Sequence, residues 1–111
     1  MKIIIVGCGK IGRSMIQSLT AEGHDVVAVD NDSAVLNDIS NTYDIMGVCG
    51  NAVDNDTLNE SGAQSADVIV STTDSDEMNM LTCFLARKLG TKHAVARIRN
   101  PEYNDQGLGF L

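Results

Sequence analysis

Basic residues are scarce: eight Lys and Arg stand against fifteen Asp and Glu, for a formal charge of −7. Nucleic-acid binding rests on neutralising phosphates with Lys and Arg, so cations this few and this scattered exclude that class. Cysteine is also short. Cys8, Cys49 and Cys83 are odd in number and form no C-x-x-C pair, which leaves no disulfide framework and fits a reducing cytosol. Lying in or beside apolar segments, all three read as small buried hydrophobes. Cys8, next to an expected helix N-terminus, is the one thiol whose pKa could fall enough to make it reactive. Long apolar runs are missing as well, since none approaches the roughly 20 residues of a bilayer span. Met1-Lys2 is followed by only four strongly apolar residues, so no signal peptide is visible. Neither direct membrane insertion nor export is therefore expected, and any membrane role is expected to pass through a partner. There is no internal repeat, linker or low-complexity stretch, and Pro101 is the single proline.

What remains is one domain over residues 1–111, with room for a single sheet and its helices. Strand-length apolar runs recur at Ile3 to Val6, Asp25 to Val29, Ile45 to Cys49, Val68 to Ser71 and Ala94 to Ile98. Helical signals separate them, an alternation that implies parallel strands joined by crossover helices. The runs are rich in Ile and Val, as strands buried on both faces should be. The first helix, Lys10 to Glu22, repeats Ile11, Met15, Ile16 and Leu19 and stops at Gly23. A second starts at Asp32 or Ser33 and carries Val35, Leu36 and Ile39; a short third runs from Asp54 through Leu58. The fourth opens on Asp76 and Glu77, ordinary acidic partners of a helix dipole, and is expected to bury Met78, Leu81, Leu85 and Leu89 before Gly90 ends it. Pro101 would open a fifth. The expected fold is α/β, a Rossmann-like doubly wound parallel sheet that lacks its last strand. That suggests an N-terminal domain of a longer protein, or a short form completed by another chain.

Gly7, Gly9 and Gly12 follow the first apolar run with the spacing G-x-G-x-x-G, and Asp30 closes the second run about 20 residues on. Each glycine answers a separate steric demand, in turn a tight exit from the strand, close approach of backbone to a pyrophosphate, and close packing of the new helix on the sheet. Free amides at the helix start would carry the pyrophosphate, and Asp30 would accept from the adenosine ribose hydroxyls. A carboxylate there repels the 2′-phosphate of NADP, and no arginine follows to receive it. Purely structural glycines, or a methyltransferase with a similar first loop, are the competing readings.

Several further segments are specific: Val29-Asp30-Asn31-Asp32, Gly50-Asn51-Ala52, Ser65-Ala66-Asp67, Thr73 to Asn79 (T-x-x-D-E-x-N) and Ala96 to Tyr103 (A-R-I-R-x-P-x-Y). In this order, over essentially the whole chain, they resemble the TrkA N-terminal domain family, also called RCK or KTN domains. The resemblance implies a cytoplasmic regulatory subunit of a potassium transporter or channel rather than a catalyst. It implies binding of NAD or NADH, or of ATP, ADP or AMP; a homodimer or larger ring; and a TrkH-like membrane potassium-translocating partner at the inner face of the membrane. Carried over residue by residue, it places Gly7, Cys8, Gly9, Lys10, Ile11 and Gly12 around the phosphates and Asp30 with Asn31 at the ribose. Asn51 and Ala52 would meet adenine, Thr72, Thr73 and Asp74 would line the cleft floor, and Arg97 would point toward the phosphates. Asp32 is expected to cap a helix rather than bind ligand. Many relatives carry Asp where this chain has Asn51, which leaves selectivity among adenine nucleotides open.

The alternative is the cofactor half of an NAD-dependent oxidoreductase. Hydride transfer needs a general acid or base near the nicotinamide, and the loop after the fourth strand offers only Ser, Thr and Asp. His24 and His93 enter strands at the opposite edge, and no Cys-His or Ser-His-Asp cluster is plausible. On the fourth helix Met80 and Phe84, with Phe110 and Leu111 at the chain end, are left over from the core and are expected to form an interface between copies.

Overall fold

In the computed structural model, which describes residues 1–105, the apolar runs pair into a five-stranded parallel sheet of order β3-β2-β1-β4-β5. In chain order the elements are β1 (Lys2–Val6), α1 (Lys10–Ala21), β2 (Asp25–Asp30), α2 (Ser33–Tyr43), β3 (Met46–Cys49), α3 (Asn55–Glu60), β4 (Val68–Ser71), α4 (Asp76–Leu89), β5 (His93–Ala96) and α5 (Pro101–Asp105). This is the expected Rossmann-like doubly wound sheet. The winding reverses beside β1, where β2 lies on one side and β4 on the other, and such a switch point opens a crevice at the strand C-termini. The register pairs Val6 with Val29 on one side and with Ser71 on the other. Gly7, Asp30 and Thr72 therefore leave the sheet side by side.

Each face of the sheet has its own core. Ile4, Val6, Val27, Val29 and Ile69 pack against Leu58 of α3 and Cys83 and Ala86 of α4. Ile3, Ile5, Val26 and Ala28 pack against Ile16 of α1 and Leu36 and Ile39 of α2. Removing a Val, Ile or Leu side chain from water contributes about 1.5–3 kcal/mol, so these two layers dominate the stabilisation of the sheet.

The edges depart from expectation. β5 ends at Ala96, so Arg97 and Ile98 lie beyond the strand, and β3 starts at Met46 rather than Ile45. β3 and β5 are edge strands, and part of each stays in solvent: Met46, Cys49 and Val95 are exposed. Cys49 is thus not the buried residue that its apolar neighbours suggested.

The fourth helix is rotated relative to its hydrophobic pattern. Asp76, Asn79, Thr82, Cys83 and Ala86 are buried against the sheet, Leu85 and Leu89 flank the core, and Leu81 is 47% exposed. Small or hydrogen-bonded side chains let α4 approach the sheet closely, and Asn79 has polar partners there. Pro101 does open α5, while residues 106–111, with Phe110 and Leu111 of the expected interface, lie outside the described residues. Among the described residues no helix is long and apolar enough to cross a membrane.

Candidate functional site

A cleft of about 470 Å³ opens at the switch point. Its near wall is the turn after β1. Gly7 adopts φ +88°, where a side chain would be strained, and a methyl group there would press on the backbone of Thr72 and Thr73. Gly9 is the N-cap of α1 and supplies no side-chain cap, whereas Asp32, Asp54 and Ser75 cap α2, α3 and α4. The first intrahelical bond of α1 runs from the Arg13 amide to the Gly9 carbonyl. The amides of Lys10, Ile11 and Gly12 come before that bond, at the positive end of the helix dipole. These residues do not line the cleft with their side chains; main-chain N–H is what they can offer. Gly12 is packed against the glycine turn, since a methyl group at that position would overlap the Gly7 carbonyl oxygen.

Asp30 closes the opposite wall. One carboxylate oxygen accepts from the Cys8 amide at 2.8 Å and the other from the Asp32 amide at 2.9 Å. Each oxygen keeps acceptor capacity toward the cleft. Asp32 also lines it, and its Oδ1 caps α2 by accepting from the Ala34 and Val35 amides. Cys8 lines the same wall as a buried thiol pushed up to about 12, by burial first and the Asp30 charge second. A thiol in that state is not nucleophilic, so the burial reading holds for Cys8 and the reactive one falls.

Beyond β3, Asn31, Gly50, Asn51 and Ala52 complete the rim. Asn51 Oδ1 accepts from the Val53 amide at 3.1 Å, which fixes the side chain and leaves Nδ2 as a donor. The floor is Thr72, Thr73 and Asp74, and the Thr72 hydroxyl donates to the Gly7 carbonyl at 2.9 Å. Val35 and Met78, expected as core positions of their helices, add apolar wall, and Ser75 joins the floor; none of these three was expected in the cleft. They come from the first turns of helices that follow cleft-forming strands, and helix phase is the signal that could have found them.

Arg97 is not brought into the cleft lining; its charge is felt by Asp76. Among the described residues no cationic side chain lines the cleft, while Asp30, Asp32 and Asp74 do. Any anion bound here meets neutral donors, chiefly main-chain N–H groups. Among the described residues no cluster of His, Cys, Asp and Glu could hold a metal ion, and His24 and His93 sit at the N-terminal ends of β2 and β5.

Residues 3–107 match the TrkA-N domain family. The chain is 44% identical over 104 residues to the Trk system potassium uptake protein TrkA of Vibrio alginolyticus, covering 93% of this chain and 23% of that protein. It is 33% identical over 105 residues to a TrkA homolog of Methanothermobacter thermautotrophicus, covering 95% of this chain and 49% of the relative. The chain therefore spans a quarter to a half of these relatives. Among solved structures it resembles the TrkA-N domain of the Escherichia coli inner membrane protein ybaL, with TM-score 0.85 at 17% identity, over 91% of this chain and 75% of that one. The GsuK channel bound to NAD aligns with TM-score 0.83 at 22% identity, over 98% of this chain and 20% of that one. The Kef C-terminal domain of Shewanella denitrificans in an AMP-bound form aligns with TM-score 0.76 at 23% identity, over 97% and 65%.

Proposed function

The chain belongs to the TrkA-N domain family, and from that premise we propose that it is a nucleotide-sensing regulatory domain of a potassium transporter or channel. Its ligand is an adenine nucleotide, NAD or NADH, or ATP, ADP or AMP. The observation that carries this is the pairing of an uncapped α1 N-terminus with the Asp30 carboxylate across one cleft. A pyrophosphate would take the free amides of Lys10 to Gly12, and the ribose hydroxyls would donate to Asp30. Asn51 Nδ2 would reach the adenine edge, and Val35 and Met78 would provide apolar contact. Structures of similar fold carry NAD and AMP, which supports the class of ligand and leaves the choice within it open.

Binding, not turnover, is the output. Among the described residues no His, Lys or Tyr lines the cleft, and the titratable side chains there are aspartates and a buried thiol, which disfavours the oxidoreductase alternative. The resulting change of shape would pass to a TrkH-like potassium-translocating subunit at the cytoplasmic face of the membrane, through a homodimer or larger ring. The exposed Leu81 and Phe84 of α4 support assembly between copies.

The test is calorimetry with NAD, NADH, ATP, ADP, AMP and NADP, together with NADH absorbance in the presence of small alcohols, aldehydes and keto acids. Binding of at least one adenine nucleotide without consumption is expected. Steady consumption with any substrate class would replace the sensor reading with the enzyme one, and no heat with any nucleotide would remove both.

A further inference from the structure

Two sequence motifs far apart in the chain, Thr73 to Asn79 and Arg97 to Tyr103, meet in the structure and are bonded to each other. Asn79, on α4, is fully buried. Its Oδ1 accepts from the Thr73 amide at 2.9 Å, the Thr73 hydroxyl at 2.6 Å and the Ser71 hydroxyl at 3.0 Å. Its Nδ2 donates to the Thr73 carbonyl at 3.1 Å and to the Arg97 carbonyl at 2.9 Å. One side-chain amide thus holds every polar group of a cleft-floor residue and also the first residue after β5. The neighbouring residues repeat the pattern. Asp76 accepts from the Arg99 amide at 2.9 Å and the Asn100 amide at 2.8 Å, and the Arg99 guanidinium donates to the Asp74 carbonyl. The Tyr103 hydroxyl meets Glu77.

The geometry points to a specific role, resting on the nucleotide reading above: Asn79 is a positioning residue that couples the cleft floor to residues 97–100, so that a ligand touching Thr72 to Asp74 changes the order of the segment leading into α5. Three consequences follow from the bonding. Thr73 has no spare donor for a ligand, because its amide and its hydroxyl both donate to Asn79 Oδ1, so it acts as floor and as sensor. A ligand pressing on that floor cannot displace Thr73 without moving the Asn79 amide. Because that amide is buried and saturated, its movement must break or carry the bond to Arg97, since an unpaired buried polar group is costly.

The experiment is hydrogen exchange on the protein with and without saturating NAD or ADP, run on wild type and on Asn79→Asp. The variant is isosteric and keeps the acceptor toward Thr73 and Ser71, but turns an acceptor toward the Thr73 and Arg97 carbonyls. In wild type, nucleotide is expected to slow exchange at least threefold both at 72–75 and at 97–100. In Asn79→Asp, nucleotide should still bind, and the response at 97–100 should shrink to the part that the Asp74 and Asp76 bonds to Arg99 and Asn100 carry, while that at 72–75 persists. Binding by calorimetry with no change at 97–100 in wild type, or with the same change in the variant, overturns the coupling and leaves the nucleotide reading intact; absence of binding defeats both. Should the variant not fold, a nitrogen-correlated NMR titration of wild type decides. The Asn79 side-chain amide and the backbone amides of Arg97, Arg99 and Asn100 must shift along with Thr73, and stationary signals there refute the role.

Discussion

The Cys8 amide donates to the Asp30 carboxylate at 2.8 Å, which makes the glycine turn and the acid at the end of β2 a single hydrogen-bonded unit. The acid therefore shapes the glycine turn, in addition to the ribose contact proposed for it. Asp30→Ala should weaken NAD binding by about 1–3 kcal/mol, the scale of leaving polar partners unpaired. Wild type should prefer NAD to NADP, and Asp30→Asn should narrow that preference while keeping an acceptor for the Cys8 amide. Calorimetry with both dinucleotides is the check; equal NADP binding in wild type would mean that Asp30 does not meet the ribose.

Gly9 and Gly12 separate binding from folding. A methyl group at Gly12 would overlap the Gly7 carbonyl and sit 3.0 Å from Thr72 Oγ1, whereas at Gly9 it meets nothing within 4 Å. Gly12→Ala should destabilise the domain by about 2 kcal/mol or more, since backbone atoms have to shift. Gly9→Ala should melt within a few degrees of wild type and still bind nucleotide at least tenfold more weakly, because the methyl occupies the path of a phosphate. Thermal melts and calorimetry on both variants test the separation. A Gly9→Ala protein with unchanged affinity would place the phosphates elsewhere.

The parallel sheet, the glycine turn and Asp30 were legible in the sequence because each is local: an apolar run, a spacing, an acid closing a strand. The orientation of α4 was not. Leu81 and Met78 are more hydrophobic than Asn79, Thr82 and Ala86, so periodicity placed Leu85 and Leu89 correctly but turned Leu81 inward; the fully packed face is made of small residues and of an asparagine whose partners lie in another motif. Thr82 carries the cost of that packing. Its hydroxyl is fully buried and, among the described residues, without a hydrogen-bond partner. Thr82→Val keeps the shape and removes the unpaired group, so stability should rise by about 1 kcal/mol. Denaturant melts would show it; a loss of stability would mean that the hydroxyl is satisfied after all. The cleft walls were half legible for a related reason, since Val35, Ser75 and Met78 enter through helix phase, which spacing alone does not set.

The three thiols should differ sharply. Cys49 is exposed, while burial lifts Cys8 to about 12 and Cys83 to about 11 from an ordinary 9.0. At pH 8, alkylation under native conditions should label Cys49 alone, with Cys8 and Cys83 reacting only in denaturant. Both raised values lie above that of the unfolded chain, so the stability tied to the neutral thiols is complete below pH 9.0 and is lost as pH rises toward 11 and 12. Melting temperature should fall from pH 9 to 11, and less steeply in Cys8→Ser. Native labelling of Cys8 would show that the glycine turn opens.

Assembly can be tested through the outer face of α4. Glu77, Leu81, Phe84 and Lys88 lie on one stripe, with Leu81 47% and Phe84 53% exposed and Lys88 set 5.5 Å from the Phe84 ring. Met80, expected beside Phe84, is half-buried, so Leu81 takes its place in the patch. The order of acid, two apolar residues and cation is self-complementary when two copies meet antiparallel: Glu77 faces the partner's Lys88, and Leu81 faces the partner's Phe84. A two-fold interface requires this kind of self-matching. Wild type should sediment as at least a dimer, and Phe84→Asp should dissociate it while the melt stays close to wild type. Glu77→Lys and Lys88→Glu should each weaken the dimer severalfold by setting like charges together, and the double exchange should restore it, more so at low salt. Restoration is the informative arm, because loss of either charge alone could act through the Tyr103 contact to Glu77 or the ring under Lys88. A wild-type monomer at high micromolar concentration, or a double exchange no better than its singles, would remove α4 as the antiparallel seam.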